Sequence, residues 1–182
     1  MPPRQSSFWV VVIKTIVVHT VTYVFVGLLA LALFQYKTLL ASPAYSSFFR
    51  QTDDPLLAAG PLFQPIRGIL FGLVFYLLQE VLFGKKNGWL ITWVTLVILG
   101  IFSTFGPAPG SVEGMIYTTL PVVGQLGGLI EILLQSLLLS IVIFYWVNHP
   151  EKNWLNWVLG LLFIVVLLLP ALGLLARYAN LA

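Results

Sequence analysis

The sequence predicts an all-α fold, a polytopic integral membrane protein built as a compact bundle of five transmembrane helices. Of the 182 residues, 59% are hydrophobic and 8% are charged, whereas soluble domains carry about 25% charged residues. The apolar residues also fall into five runs separated by polar turns, and about 20 apolar residues suffice to cross the hydrocarbon layer as a helix. We therefore predict one domain, 1–182, with spans at 8–36, 62–83, 89–105, 122–147 and 154–178.

Composition excludes several classes of function. The net charge is +3, and the lysines and arginines are scattered singly or in pairs, so no basic surface for nucleic acid is predicted. The chain has no cysteine, which removes disulfides and thiolate chemistry, and its two histidines are too few for a histidine-rich metal cluster. The lipid bilayer is the partner that this composition implies, and no cofactor is indicated.

The first span, 8–36, is interpreted as a retained helix. It is much longer than the apolar core of a secretory signal peptide, and it contains Lys14 and His19. The long connection 37–60 follows, with two X-Pro turn signals and an aromatic segment suited to the membrane interface.

The second and third spans are joined by a short positive loop, GKKNG at 84–88. The second span begins close to Pro65, which a first helical turn tolerates because its missing N–H has no partner there. After the third span, the loop GPAPGSVEG at 106–114 contains several glycines and prolines, which end regular structure. In the fifth span, Pro170 predicts a kink.

The fourth span is the element around which we expect the rest of the chain to pack. On a helix, Gly124, Gly128, Glu131 and Gln135 lie on one stripe, at i, i+4, i+7 and i+11. Small residues permit a close approach of another helix, and the carboxyl and amide groups would then face that neighbour instead of lipid. A carboxylate near mid-membrane costs roughly 2.5–3.5 kcal/mol on insertion scales, so it indicates function by default.

Polar residues from three spans are predicted to meet inside the membrane. His19 and Tyr23 share a polar face of the first span, while Arg67 lies in the second. Counting residues along alternating spans places His19 level with Gln135, and Tyr23 level with Glu131. These five residues form the predicted binding site between spans 1, 2 and 4, and no catalytic or metal-ligating residue is assigned.

Two further contacts follow from the same counting. Lys14 and Glu80 lie at similar depth near the GKKNG side, so they can form an ion pair if the first two helices are neighbours. Gly68 and Gly72 repeat the small-residue spacing of the fourth span, which favours close helix packing.

Three functional interpretations remain open from the sequence. The first is a transport-type or ligand-binding membrane protein, and the second is a non-catalytic subunit or assembly factor whose polar residues only hold helices together. The third is a small intramembrane enzyme acting on a lipid, with Glu131 or His19 as acid or base. A second copy of the chain, or another membrane protein, is the partner that the first two interpretations allow.

Location and orientation are expectations as well. The paired Lys85 and Lys86 lie in a short loop, and positive residues in short loops favour the cytoplasmic side. We therefore expect a multi-pass protein of a bacterial cytoplasmic membrane with its N-terminus inside.

Overall fold

The computed structural model describes residues 6–179, and every regular element in that range is helical. The all-α prediction is therefore confirmed. The helices are α1 (Phe8–Leu33), α2 (Tyr36–Ala41), α3 (Pro43–Ser46), α4 (Pro55–Ala58), α5 (Gly60–Leu77), α6 (Gln79–Leu82), α7 (Gly88–Val97, continued by a π-helical turn Ile98–Phe102), α8 (Val112–Tyr117), α9 (Val122–Asn148) and α10 (Asn153–Ala179).

Four of these helices, α1, α5, α9 and α10, are long and apolar enough to cross a membrane. A shorter apolar helix, Gly88–Phe102, lies where the third span is predicted, and the predicted count of five roughly fits. The chain is thus a multi-pass helical membrane protein. At 1.5 Å per residue, the short third helix covers at most about three quarters of a ~30 Å hydrocarbon layer.

The central helix is α1, which corrects the expectation that the fourth span organises the bundle. Helix α1 packs against α5, α9 and α10, whereas α7 packs against α9. The most apolar window of α1 is 39% buried, against 22% for α5 and α9 and 6% for α10. The polar face of α1 explains its position, because its threonine and histidine side chains avoid lipid only when other helices surround them.

Helices α1 and α5 pack closely at the glycine pair of the second span. A Cβ atom built on Gly68 would lie 2.6 Å from the backbone Cα of Ile16, and one on Gly72 would lie 2.9 Å from Cα of Val12. Both glycines are buried. The predicted close packing through this pair is therefore confirmed.

The glycine stripe of α9 faces a different kind of neighbour from the one predicted. Gly124 lies against the ring of Tyr45 in α3, and a Cβ on Gly128 would lie 3.8 Å from Cα of Gly110 in a loop. These small residues therefore make room for connecting segments and not for another spanning helix. The expectation of a spanning-helix neighbour was wrong for these two glycines, whereas Gln135 of the same stripe faces α1, with its Nε2 3.2 Å from His19 Nδ1.

Several predicted spans end or break at identifiable places. Helix α1 stops at Leu33, before Gln35, whose φ of 48° lies in the left-handed region and turns the chain into α2. The second span is interrupted at Leu78, between α5 and α6. Pro65 and Pro170 both lie inside continuous helices, which α-helices in membranes tolerate because neighbouring groups satisfy the freed carbonyl.

The two ends of the bundle are distinguished by contacts between distant segments. At one end, the Ser6 amide donates to Gln79 Oε1 at 3.1 Å. At the other end, Arg177 Nη1 donates to the carbonyl oxygen of Asp53 at 2.7 Å. We call the segments at this second end, 34–59 and 103–121, the rim.

Lys14 does not form the predicted ion pair with Glu80. Its Nζ donates to the carbonyl oxygen of Trp146 at 2.7 Å and lies 5.0 Å from the centre of that indole ring. Within residues 6–179, the ion pair whose nitrogen and oxygen atoms lie less than 4 Å apart is the one between Arg50 and Asp54. The backbone carbonyl near the end of α9 attracts Lys14 because the last carbonyls of a helix carry partial negative charge.

Asp54 has a structural role in the rim. Its carboxylate caps α4 by accepting from the Leu56 amide at 2.7 Å, and it pairs with Arg50 at 2.9 Å. The hydrogen bond from Arg50, with that from the amide, lowers the pKa of Asp54 below its ordinary value. This carboxylate is therefore fully used by the local fold.

Candidate functional site

A cavity of about 590 Å³ lies between α1, α9 and the rim. Its lining follows α9 along Gly124, Gly128 and Glu131, which is two helical turns or about 10 Å. The opposite walls come from α1 and from the rim helices, and they consist mainly of leucine and aromatic side chains. The cavity thus combines long apolar walls with a carboxylate.

Glu131 lies half-buried at this cavity and is held by one hydrogen bond. The hydroxyl of Tyr36 donates to Glu131 Oε2 at 2.7 Å. Tyr23 lines the same cavity. Among the lining residues that the structure describes, Glu131 is the one side chain with a formal charge.

His19 is fully buried and joins three helices through two glutamines. Its Nε2 lies 3.3 Å from Gln64 Oε1, and its Nδ1 lies 3.2 Å from Gln135 Nε2. The amide oxygen of Gln64 can only accept, and the amide nitrogen of Gln135 can only donate. These partners fit a neutral imidazole with its proton on Nε2. We call this group, His19 with Gln64 and Gln135, the clamp.

Arg67 stands beside the clamp and outside the cavity lining. Its guanidinium carbon lies 5.8 Å from the ring centre of Tyr23, and its Nη1 lies 3.5 Å from Gln64 Oε1. The expected Tyr23–Glu131–Arg67 cluster is thus formed in part. Arg67 reaches the face of Tyr23, whereas Glu131 is held by Tyr36.

Two residues of this region were not assigned to the site from the sequence, Gln64 and Tyr36. Gln64 lies one turn before Gly68 on the buried stripe of α5, and that shared stripe was a signal for its inward position. Tyr36 is the last residue of the predicted first span, and nothing in the sequence assigns its side chain to the site. The left-handed turn at Gln35 directs it back onto α9, and no pattern in the sequence marks that turn.

Gln125 holds the rim loop onto the start of α9. It is 3% exposed, and its Oε1 accepts from the Gly110 amide at 3.3 Å while its Nε2 donates to the Leu120 carbonyl at 2.9 Å. Gly110 has φ of +83°, a conformation that favours glycine. The Tyr45 hydroxyl adds a bond to the Pro121 carbonyl at 3.1 Å. The rim wall of the cavity is therefore fixed by hydrogen bonds.

The clamp makes a prediction about energetic coupling between α1 and α5. In a double-mutant cycle with His19→Leu and Gln64→Leu, we expect a coupling of about 0.6 kcal/mol and no more than about 1.7 kcal/mol, the range for hydrogen bonds between membrane helices. The measurement is unfolding in mixed detergent micelles. A cycle that closes with zero coupling would mean that the two side chains do not stabilise each other.

The fold and the site together define a class, a multi-pass helical membrane protein with a part-polar cavity inside its bundle. Comparison with protein-family models, with curated proteins and with solved structures finds no significant match to this chain. Within residues 6–179, no group of three or more histidine, cysteine or acidic side chains is arranged to hold a metal ion.

Proposed function

We propose that this protein binds a small amphipathic ligand in the cavity at Glu131, as a ligand-binding or transport-type membrane protein. The observation that carries the proposal is a cavity of about 590 Å³ lined by a carboxylate within an apolar bundle. Pockets for small molecules commonly measure 300–1,000 Å³ and combine apolar walls with a few polar groups. A bundle whose polar residues served only to join helices would not need such a space.

The polar residues divide between two roles in this proposal. Within the clamp, His19 and Gln64 are buried and both ring nitrogens of His19 are engaged by glutamines, so the clamp serves to fix the three helices. Glu131, Tyr36 and Tyr23 line the cavity and are available to a ligand. This division argues against His19 as the acid or base of the enzyme interpretation, because neither of its ring nitrogens is free; it leaves Glu131 open to that role.

A specific observation keeps a second candidate, a subunit of a membrane complex. Helix α10 carries the most apolar window of the chain, and only 6% of it is buried. A second copy or another membrane protein would cover this face, although lipid would cover it equally well. The proposed ligand-binding role does not depend on which of them does.

The proposed location is the cytoplasmic membrane of a bacterium, with the N-terminus inside. The support is the pair Lys85 and Lys86 in the short connection before α7, since positive residues in short loops favour the cytoplasmic side. This orientation places the rim and the cavity near the outer face.

The test uses a glycine substitution that fills the cavity. Gly128 lines it, whereas a Cβ on Gly160 of α10 would have no atom within 4 Å. The purified chain, in a branched maltoside detergent, is offered dodecyl chains with cationic, neutral or anionic headgroups. We expect native mass spectrometry to detect one bound amphiphile in the wild type and in Gly160→Leu, and at least a tenfold weaker signal in Gly128→Leu.

A second variant distinguishes a filled cavity from a misfolded protein. Leu40→Trp fills the cavity from the opposite wall and should have the same effect, with an unchanged elution volume. If none of the three amphiphiles is retained by the wild type, or if Gly128→Leu and Leu40→Trp both retain it fully, the proposed function is wrong.

A further inference from the structure

We infer that the ligand of this cavity is a cationic amphiphile, a molecule with a positively charged amine headgroup on an apolar chain. This inference rests on the proposed function and adds to it the chemical class of the ligand. It follows from three properties of the lining: its charge, its aromatic side chains and its apolar walls.

The charge of the lining favours a cation. Glu131 is the one formally charged side chain among the described lining residues, and it accepts a hydrogen bond from the neutral hydroxyl of Tyr36. The nearby Arg67 is held against Tyr23 and Gln64, outside the lining. A carboxylate in a low-dielectric space without a cationic partner gains most from a ligand that supplies the positive charge. A phosphate or carboxylate headgroup would be repelled by the Glu131 carboxylate.

The aromatic side chains provide a second, independent reason. Tyr36 and Tyr23 line the cavity on the side of Glu131, and Arg67 already lies 5.8 Å from the ring centre of Tyr23. Tyr45 and Phe49, which are stacked with ring centres 5.8 Å apart, line the cavity further along α9, beside Gly124. Aromatic faces attract ammonium groups through their quadrupole, and cages of aromatic rings recognise quaternary ammonium ligands. The Glu131 carboxylate with the Tyr36 ring beside it is therefore suited to an amine or a trimethylammonium group.

The remaining walls account for the chain of the amphiphile. They come from leucines of α1 and of the rim helices, namely Leu28, Leu31, Leu39, Leu40, Leu56 and Leu57. Apolar groups of this kind offer no partner to a polar molecule, and they contact an alkyl chain by dispersion. A ligand with its headgroup at Glu131 would thus place its alkyl chain along the leucine side chains between α1 and the rim.

The experiment compares three probes with one chain length: dodecyltrimethylammonium, dodecanol and dodecyl phosphate. Affinities for the full-length protein are measured by native mass spectrometry for the wild type, Glu131→Gln and Tyr36→Phe. Tetramethylammonium, which lacks the chain, is added as a competitor to separate a soluble cation from an amphiphile. Glu131→Gln retains an acceptor for the Tyr36 hydroxyl, so its melting temperature should stay close to that of the wild type.

We expect dodecyltrimethylammonium to bind the wild type at least tenfold more tightly than the other two probes. Glu131→Gln should abolish this preference while leaving dodecanol binding unchanged, and Tyr36→Phe should preserve the preference because the carboxylate remains. Tetramethylammonium should compete only weakly with dodecyltrimethylammonium. Strong competition would show that the ligand is a soluble organic cation and would overturn the inference of an amphiphile. Equal binding of all three probes, or a preference for dodecyl phosphate, would overturn the inference that the ligand is cationic, while leaving the proposed ligand-binding function intact. A preference that persists in Glu131→Gln would also overturn the inference.

Discussion

Gly68→Ala should lower the stability of the bundle by up to about 2 kcal/mol, since overpacking a well-packed core costs about 1–3 kcal/mol and the helix preference of alanine offsets about 1 kcal/mol of it. The added methyl would lie 2.6 Å from Cα of Ile16, and this atom belongs to the backbone of α1, which cannot move aside as a flexible side chain can. Alanine is the better helix former by about 1 kcal/mol, but the steric cost is larger, so the net effect is destabilising. The measurement is thermal unfolding in detergent, followed by size-exclusion chromatography.

Gly160→Ala is the matched control for this substitution. It makes the same chemical change inside a spanning helix, but no atom lies within 4 Å of the new methyl. We expect the control to be neutral or slightly stabilising, since only the helix preference acts. Equal losses at both positions would show that α1 and α5 are not in contact at Gly68.

The spans could be predicted from the sequence because bilayer thickness and apolar run length are directly related. The central position of α1 could not. In a soluble protein the buried face is the apolar one, whereas in a membrane both lipid and the protein interior are apolar. Hydropathy therefore carries no sign of which helix is surrounded. The stripe of α9 was a misleading guide because Gly124, Gly128 and Glu131 contact the rim segments, and Gln135 is the member that contacts α1.

The candidate site could be predicted in part for a related reason. Polar residues in a spanning helix avoid lipid, so their stripes identified His19, Glu131 and Gln135, and residue counting placed His19 level with Gln135. The partner of Glu131 could not be found in this way. Tyr36 reaches it because Gln35 adopts a left-handed conformation, which is uncommon for a residue other than glycine and has no marker in the sequence.

The rim illustrates how a cavity can persist in a bundle of apolar helices. Leucine walls alone would allow the surrounding segments to collapse and fill the space, because an empty apolar cavity forgoes dispersion contacts. Here the rim segments are tied to α9 by polar side chains at fixed points, through Gln125 and Tyr45. We therefore expect the largest local loss of structure when one of these hydrogen-bonding side chains is replaced.

Gln125→Leu should release the rim loop while leaving the spanning helices in place. The change leaves the Gly110 amide and the Leu120 carbonyl without their partner, and each buried group left unpaired costs about 1–3 kcal/mol. Hydrogen exchange measured by mass spectrometry should become at least roughly tenfold faster across 106–121, since 1.4 kcal/mol corresponds to a factor of ten. Binding in the cavity should weaken as well, because Gly110 and Gln125 belong to its wall.

Gln135→Leu provides the control within the same helix. It removes one hydrogen bond, to His19, and touches no part of the rim loop in the described contacts, so exchange across 106–121 should remain at the wild-type rate. The same exchange rates in Gln125→Leu and in the wild type would contradict the role of Gln125, since the loop would then be held by other contacts. A uniform acceleration of hydrogen exchange over all helices in Gln125→Leu would likewise contradict this role, because the predicted release is local. In the described part of the chain, the Gln125 side chain bonds to the loop and to residues just before α9. The substitution therefore leaves the contacts that join α1, α5 and α9 intact.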